Sequence, residues 1–331
     1  MNSFGRIFRL SIFGESHGPM VGITIDGVIP GIEISEIDFE IDLQRRRGGG
    51  DSGTTTRRED DLPIFLSGIF NGRTTGAPLT IAFENKNVIS KDYEVQRKIP
   101  RPGHADFVAS KKFMGFEDYR GGGHFSGRLT VCLVAAGVIA KKILGELNKS
   151  NSNIEIKSEL ISIGGETDIT IGIQKAIDAQ DSIGGIVECV IKNVPIGLGE
   201  PFFDSLESMI SHAVFAIPAV KGIEFGSGFG AALMKGSDHN DSLVDASGKN
   251  ASNNSGGISG GISNGNEIIF RIAIKPTSST PKEQSSLNIE TGLVEDFNIK
   301  GRHDLCIALR VPPVLEAVAA CVLADFFLIA K

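Results

Sequence analysis

The spacing of apolar positions changes along the chain, and the change marks out its elements. In the first hundred residues apolar and β-branched side chains come in short runs, at 8–13, 21–25, 62–70 and 79–83. Runs of that length, bounded by turn residues such as the GESHG between the first two, predict strands. Between the second and third runs, Ser35 opens a helical segment with Asp38 in capping-box position. Ile34, Ile37, Ile41 and Leu43 form its apolar stripe. Arg45, Arg46 and Arg47 followed by three glycines close it, as cations and glycine do at a helix C-terminus. The clearest helix follows Ser126, where Leu129, Leu133, Ala136, Ala140, Leu144 and Leu147 recur at helical spacing. Strands are predicted at 155–163, 186–194 and 267–274. A helix is predicted at 203–215, with Leu206, Ile210, Ala213 and Val214 on one face.

The C-terminal run 311–329 is apolar enough to raise a membrane span. Glu316 and Asp325 interrupt it and Pro312 and Pro313 open it, so a buried amphipathic helix is the better reading. The N-terminus lacks the long apolar stretch and cleavage site of a signal peptide. Residues 235–265 turn to Gly, Ser, Asn and Asp, which on composition alone favours a linker over an ordered loop near a ligand. No repeat of fixed period and no sharp boundary divides the chain. The expectation is a single α/β domain over 1–331, with mixed or antiparallel sheets and long functional loops.

Composition adds two exclusions. Apolar residues are 41% and charged residues 22%, which excludes global disorder. A net charge of −7 argues against a nucleic-acid binder, although RRRGGG resembles an RGG element. Cys132, Cys189, Cys306 and Cys321 lie far apart, without zinc spacing, and read as reduced thiols of a cytoplasmic protein; no metal is expected.

Within this acidic chain, Arg45, Arg46, Arg47, Arg57 and Arg58 fall in one short segment. Guanidinium groups grip phosphate or carboxylate through paired hydrogen bonds, so the cluster suits a small polyanion; it equally suits a helix end complementing its dipole. His17 in GESHG and His104 in RPGHAD sit between small residues, where an imidazole serves as acid or as cation beside an anion, or simply as a surface side chain. GGGHFSGR sets glycines, Ser126 and Arg128 at a helix N-terminus, an anion site or an ordinary cap. GRHDLC brings Arg302 and Asp304 together, as an ion pair or as a cation beside a base. Gly226, Gly228 and Ala231 match a dinucleotide fingerprint, but the long helix it needs is missing, and no P-loop is present. The residues reach an enzyme acting on a small multi-anionic ligand, and no further.

Taken in order, FGESHG, RRRGGG, RPGHAD, YRGGGHFSGRLT, IPAVKGIEFGSGF, NNSGGISGGISNG, KPTSS and GRHDLC strongly resemble the chorismate synthase family over nearly the whole chain. The resemblance implies a layered sandwich of antiparallel sheets with helices outside, assembled as a homotetramer. It implies a lyase of the shikimate pathway that eliminates phosphate from 5-enolpyruvylshikimate-3-phosphate to give chorismate and needs reduced FMN. It also replaces the linker at 235–265 with an ordered flavin-site segment. By resemblance, His17 serves the leaving phosphate, His104 holds or protonates the reduced flavin near N1, and Asp304 helps remove the C6 proton through flavin N5. His124, Phe125, Ser126, Pro218, Ala219, Gly260, Lys275, Pro276, Thr277, Ser278, Ser279 and Arg302 match cofactor-contacting positions. Arg46, Arg101 and Arg128 match arginines at the substrate or NADP anions.

One departure stands out. Many relatives carry a basic residue shortly after the triple arginine, at a position tied to nucleotide or flavin-phosphate contact, where this chain has Ser52. That counts against a direct NADPH contact, with Arg57 as a substitute cation. The reading is a monofunctional lyase supplied with externally reduced flavin, NADPH acting only as an indirect reductant, with no nucleic-acid or membrane partner.

Overall fold

Residues 2–48, 53–55, 59–86, 97–148, 153–299 and 304–331 are described in the computed structural model of the 331-residue chain. Ser52, Arg57, Arg58, Arg302 and His303 lie outside them. Two antiparallel sheets carry the framework. The first runs in the order β1 (Ser3–Phe4), β2 (Arg9–Gly14), β3 (Met20–Asp26), β5 (Leu79–Glu84), β4 (Ile64–Ser67). The second runs β8 (Val220–Phe225), β9 (Ile268–Ile274), β7 (Gly185–Lys192), β6 (Glu155–Ile163). In β9 the register puts Ile268, Phe270, Ile272 and Ile274 inward and fully or nearly fully buried, as period-two alternation dictates.

Six helices of seven residues or more are described: α1 (Ile37–Arg46), α2 (Asp106–Lys112), α3 (Thr130–Leu147), α4 (Ile169–Ala179), α5 (Leu206–Val214) and α6 (Pro312–Ile329). The two longest correct the expectation that helices lie outside the sheets. α3 packs along α6, touches β3 and β5 on one side, and α6 touches β6 and β7 on the other. The pair therefore forms an inner layer between two sheets. Gly137 sits at the crossing: a Cβ there would meet the Ala317 Cα within 2.5 Å, so only glycine allows so close an approach.

The inner position also corrects the reading of α6. It is not amphipathic; every residue from Pro313 to Phe326 is buried, Glu316 and Asp325 included. By length and composition it could cross a membrane, but its apolar surface is spent on the protein core. Each acid has dedicated partners. Glu316 takes both terminal nitrogens of Arg45, at 2.7 Å each, and the Ser158 N–H at 2.9 Å. Asp325 accepts the backbone N–H groups of Arg6, Ile7 and Phe8, tying the N-terminal loop to the last helix.

Of the stripe expected on α1, Ile34 and Leu43 are buried and Ile37 and Ile41 are not. Ile37 and Ile41 are about 70% exposed, at 71% and 72%, while Phe39, Leu43 and Arg46 point inward. Asp38 does accept from the Ser35 N–H at 2.8 Å, as the capping-box spacing predicted, but the N-cap position is Glu36, without a side-chain cap bond, and the Ser35 hydroxyl donates to Asp38 instead. The segment from 235 to 265 is ordered, held by Asp241 and Asn254 and closed by the hairpin Ile258–Ser259 and Ile262–Ser263. Only a six-residue 3-10 stretch, Gly228–Leu233, follows Gly226, so the dinucleotide fingerprint is indeed a decoy.

Candidate active site

A cavity of about 840 Å³ opens where the C-terminal end of α1, the loop before α3, the end of α5 and the segment after β9 converge. That volume is in the upper range of small-molecule sites (~300–1,000 Å³). His17, Arg46, Arg101, His104, His124, Phe125, Ser126, Arg128, Pro218, Ala219, residues 275–279 and Asp304 all line it. Gly260 does not. It turns the hairpin at 258–263, whose Gly261 carbonyl accepts from the Leu206 N–H at the start of α5.

The triple glycine 121–123 explains how two histidines come together. Gly121 and Gly122 both have left-handed backbones, with φ of 60° and 80°. A Cβ on Gly121 would stand 2.5 Å from Nε2 of His17, and one on Gly122 would stand 3.4 Å from Nε2 of His104. The bare backbone thus threads between the two imidazoles. The Ser16 hydroxyl donates to the Gly121 carbonyl at 3.0 Å, pinning the His17 turn to the same loop. His124 points elsewhere: its Nδ1 lies 2.8 Å from the Gly14 carbonyl, which only accepts, so Nδ1 carries the proton.

His104 belongs to a second, unforeseen cluster. Asp106 accepts from Nε and Nη2 of Arg101, both at 2.7 Å, and lies 2.5 Å from His104 Nδ1. Nδ1 also faces Arg101 Nη2 at 3.0 Å, so the same nitrogen lies between a carboxylate and a guanidinium, and Nε2 is left on the Gly122 side. Burial pushes the Asp106 carboxyl up, but the Arg101 and His104 hydrogen bonds outweigh it and hold it well below the usual range. Arg101 also donates to the Ser279 hydroxyl at 3.0 Å, joining this cluster to the KPTSS segment.

Asp61, a residue that sequence reasoning missed, organises the arginines. It sits in the loop before β4 with a left-handed φ of 51° and a side chain that is fully buried. One oxygen accepts from Arg46 Nη2 at 2.7 Å and the other from Arg128 Nη1; Arg47 Nε lies 3.8 Å away. Burial raises the Asp61 carboxyl, but Arg46 and Arg128 more than reverse this and lower it. Burial likewise brings the Arg46 guanidinium down to about 10, opposed by Asp61 and reinforced by Arg310 and Arg128. Arg128 is further anchored by Asn85 Oδ1 and the Glu84 carbonyl, each at 3.0 Å.

Asp304 accepts the Thr55 N–H at 2.9 Å on one oxygen and Arg310 Nη1 at 3.0 Å on the other. Its ion-pair partner among the described residues is Arg310, which sequence spacing did not suggest; the expected pairing with Arg302 lies outside the described residues. Across the cavity, Lys275 Nζ donates to the Gly103 carbonyl at 2.8 Å and lies 2.6 Å from the Ser278 hydroxyl. Burial, with Lys221 adding to it, lowers the Lys275 ammonium. Thr277 Oγ1 is buried without a hydrogen-bond partner, and Ala219 adopts a left-handed φ of 72°. The four cysteines are free and buried; Cys132 is pushed up to about 12 by burial, which suits packing and not nucleophilic work.

The family model for chorismate synthase matches residues 8–328. The chain belongs to the chorismate synthase family. A Chitinophaga pinensis protein named chorismate synthase is 64% identical over 329 residues, covering 99% of this chain and 97% of its own length. One from Dehalococcoides mccartyi is 44% identical over 356 residues, covering 99% and 96%. A crystal structure of chorismate synthase superimposes with a TM-score of 0.72 at 26% identity, over 98% of this chain and 92% of that one. Family membership makes the chain an enzyme of the lyase type with a small-molecule substrate. The family implies a flavin, and the donor set fits one: an ammonium, three hydroxyls (one without a partner) and the left-handed backbone at Ala219 line the cavity at 218–219 and 275–279.

Proposed function

We propose that the chain catalyses the 1,4-elimination of phosphate from 5-enolpyruvylshikimate-3-phosphate, giving chorismate, with reduced FMN bound. The observation that carries this reading is the threading of one bare glycine backbone between His17 and His104, in a cavity whose arginines outnumber its acids. A substrate with one phosphate and two carboxylates calls for that many cations. What reduced FMN supplies when bound is transient electron density for breaking the C–O bond to phosphate, regained by the end of a redox-neutral turnover.

The chain's own residues do the rest. Lys275, Thr277, Ser278 and Ser279 hold the flavin's ribityl phosphate end, with His124–Ser126 and Pro218–Ala219 on its ring and chain. His17 stands beside the leaving phosphate and holds a proton for it, stabilising charge that grows as the bond breaks. His104, its Nδ1 fixed on Asp106, presents Nε2 toward the cofactor. Asp304 is the carboxylate that receives the proton lost from C6, and Arg310 keeps it aimed. Arg46, Arg101, Arg128 and Arg302 bind the anions. The protein works as a homotetramer, to which the exposed Phe202 and Phe203 beside the Gly260 hairpin lend support; a Gly260 contact to the cofactor then comes from a neighbouring copy.

The test is anaerobic. The protein is mixed with photoreduced FMN and 5-enolpyruvylshikimate-3-phosphate, and phosphate and chorismate are followed together. The assay is then repeated with oxidised FMN plus NADPH alone. Product with reduced flavin only supports a monofunctional lyase fed by an external reductant. Product in both assigns the chain its own flavin reductase activity. No product in either, from folded protein that binds FMN, rejects the reading.

A further inference from the structure

We propose that Asp61 is a positioning residue for substrate: it sets the Arg46 and Arg128 guanidinium groups as one anion-binding pair. The proposal rests on the function proposed above and adds a residue to it.

Three features of Asp61 set it apart from a packing residue. First, its partners come from separate parts of the chain, Arg46 from the last turn of α1 and Arg128 from the turn before α3, and both line the cavity together with Asp61 itself. Two guanidinium groups brought together in a buried wall repel each other. A carboxylate that takes one nitrogen from each removes the repulsion and fixes both planes in the same act. Second, the arrangement is an expensive way to fill space. A buried ion triad is often no more stable than apolar residues of the same volume. Here it also leaves Arg46 Nε buried without a partner and holds an acid in a left-handed backbone. Third, the charges do not cancel. Arg46, Arg47, Arg128 and Arg310 approach one end of the cavity, against Glu59, Asp61 and Asp304. The surplus is positive, and it faces a cavity in a protein that is negative overall. Asp61 thus satisfies one side of each guanidinium, while the terminal nitrogens keep further hydrogens for a ligand.

The left-handed backbone makes Asp61→Asn the clean variant, because asparagine tolerates that conformation and changes only the charge. With reduced FMN, the KM for 5-enolpyruvylshikimate-3-phosphate should rise at least tenfold while kcat falls no more than about threefold. The Kd of oxidised FMN, read by fluorescence, should stay within twofold, since its proposed phosphate contacts at 275–279 include none of the groups that Asp61 holds. Inorganic phosphate, titrated calorimetrically in the FMN-loaded protein, should bind at least tenfold more weakly than to wild type. An unchanged KM and unchanged phosphate affinity in a folded variant would overturn the proposal, as would equal weakening of FMN and substrate. If Asp61→Asn does not fold, Asp61→Glu decides: it keeps the charge but shifts it by one methylene, and wild-type KM and phosphate affinity there also overturn the proposal. A wild-type protein that binds phosphate but makes no chorismate rejects the function and leaves the phosphate comparison to judge Asp61.

Discussion

Arg45 and Arg46 are neighbours on one helix, and each reaches a buried carboxylate from a distant part of the chain. Arg45, 40% exposed along its side chain, turns to Glu316 in the inner helix layer; Arg46, 3% exposed, turns to Asp61 at the cavity. The surroundings of the two acids differ in kind. Glu316 meets Arg45, Lys141 at 3.6 Å and the Ser158 N–H, groups from α1, α3 and β6, so it cross-links the layers of the framework. Asp61 meets only groups at the cavity wall. The same chemical pair therefore serves the fold at one position and the site at the next, and the side of the helix decides which.

The largest expected effect breaks the comparison at its site end. His17→Ala should lower kcat by about 10²–10⁴-fold, the usual worth of a positioned acid, with substrate still bound and thermal stability little changed. Steady-state kinetics with reduced FMN checks it, and near wild-type kcat would remove His17 from the chemistry. Gly121→Ala should follow, at roughly 10–100-fold in kcat, without any change of a chemical group. Its Cβ would meet the His17 ring at 2.5 Å and its backbone is left-handed, so the loop or the imidazole must shift, and a shift of about 1 Å is enough to cost such a factor.

Glu316→Ala tests the framework end. It leaves the Ser158 N–H and Arg45 without their shared acceptor in the inner layer, and should lower stability by about 2–4 kcal/mol in denaturant unfolding. Turnover per folded molecule should stay at the wild-type value. A kcat loss as large as that of His17→Ala would show that framework and site are not separable.

The two ends also differ in how far the sequence discloses them. Strand and helix positions were readable because period-two and helical spacing follow from local geometry: β6 spans 155–163, as its alternation predicts, and α5 buries Leu206, Ile210, Ala213 and Val214, as its spacing predicts. The outer position of the helices came with the resemblance; the residues had already made the C-terminal run a buried helix, but a helix apolar on all sides carries no stripe to say which layer it fills. Ile37 and Ile41 misled for the opposite reason, being apolar and exposed. At the site, His17, Arg101, His104 and Arg128 lie beside glycines or prolines and stand out. Asp61 and Arg310 do not, and Asp106 was passed over inside RPGHAD; an acid shows its value only when the chain brings Arg46 and Arg128, or Arg101 and His104, around it. Asp106, two residues after His104, was the one that spacing made available.

The smallest effect is a slope, and it reads the site acid in the intact fold. Asp61 has its carboxyl lowered in the folded state, because the two arginines outweigh burial. A lowered acid adds stability that is complete above its unfolded value, about 3.9, and is lost as pH falls from there through the folded value. The unfolding free energies of wild type and Asp61→Asn should therefore differ by a constant amount from pH 5 to pH 7, as order-of-magnitude bounds from the same unfolded value, and converge below about pH 4. Denaturant titrations at a series of pH values, without FMN or substrate, measure the gap. A gap that stays constant into acid would mean that Asp61 is not held as a carboxylate between its arginines, and the contrast with Glu316 would then rest on position alone.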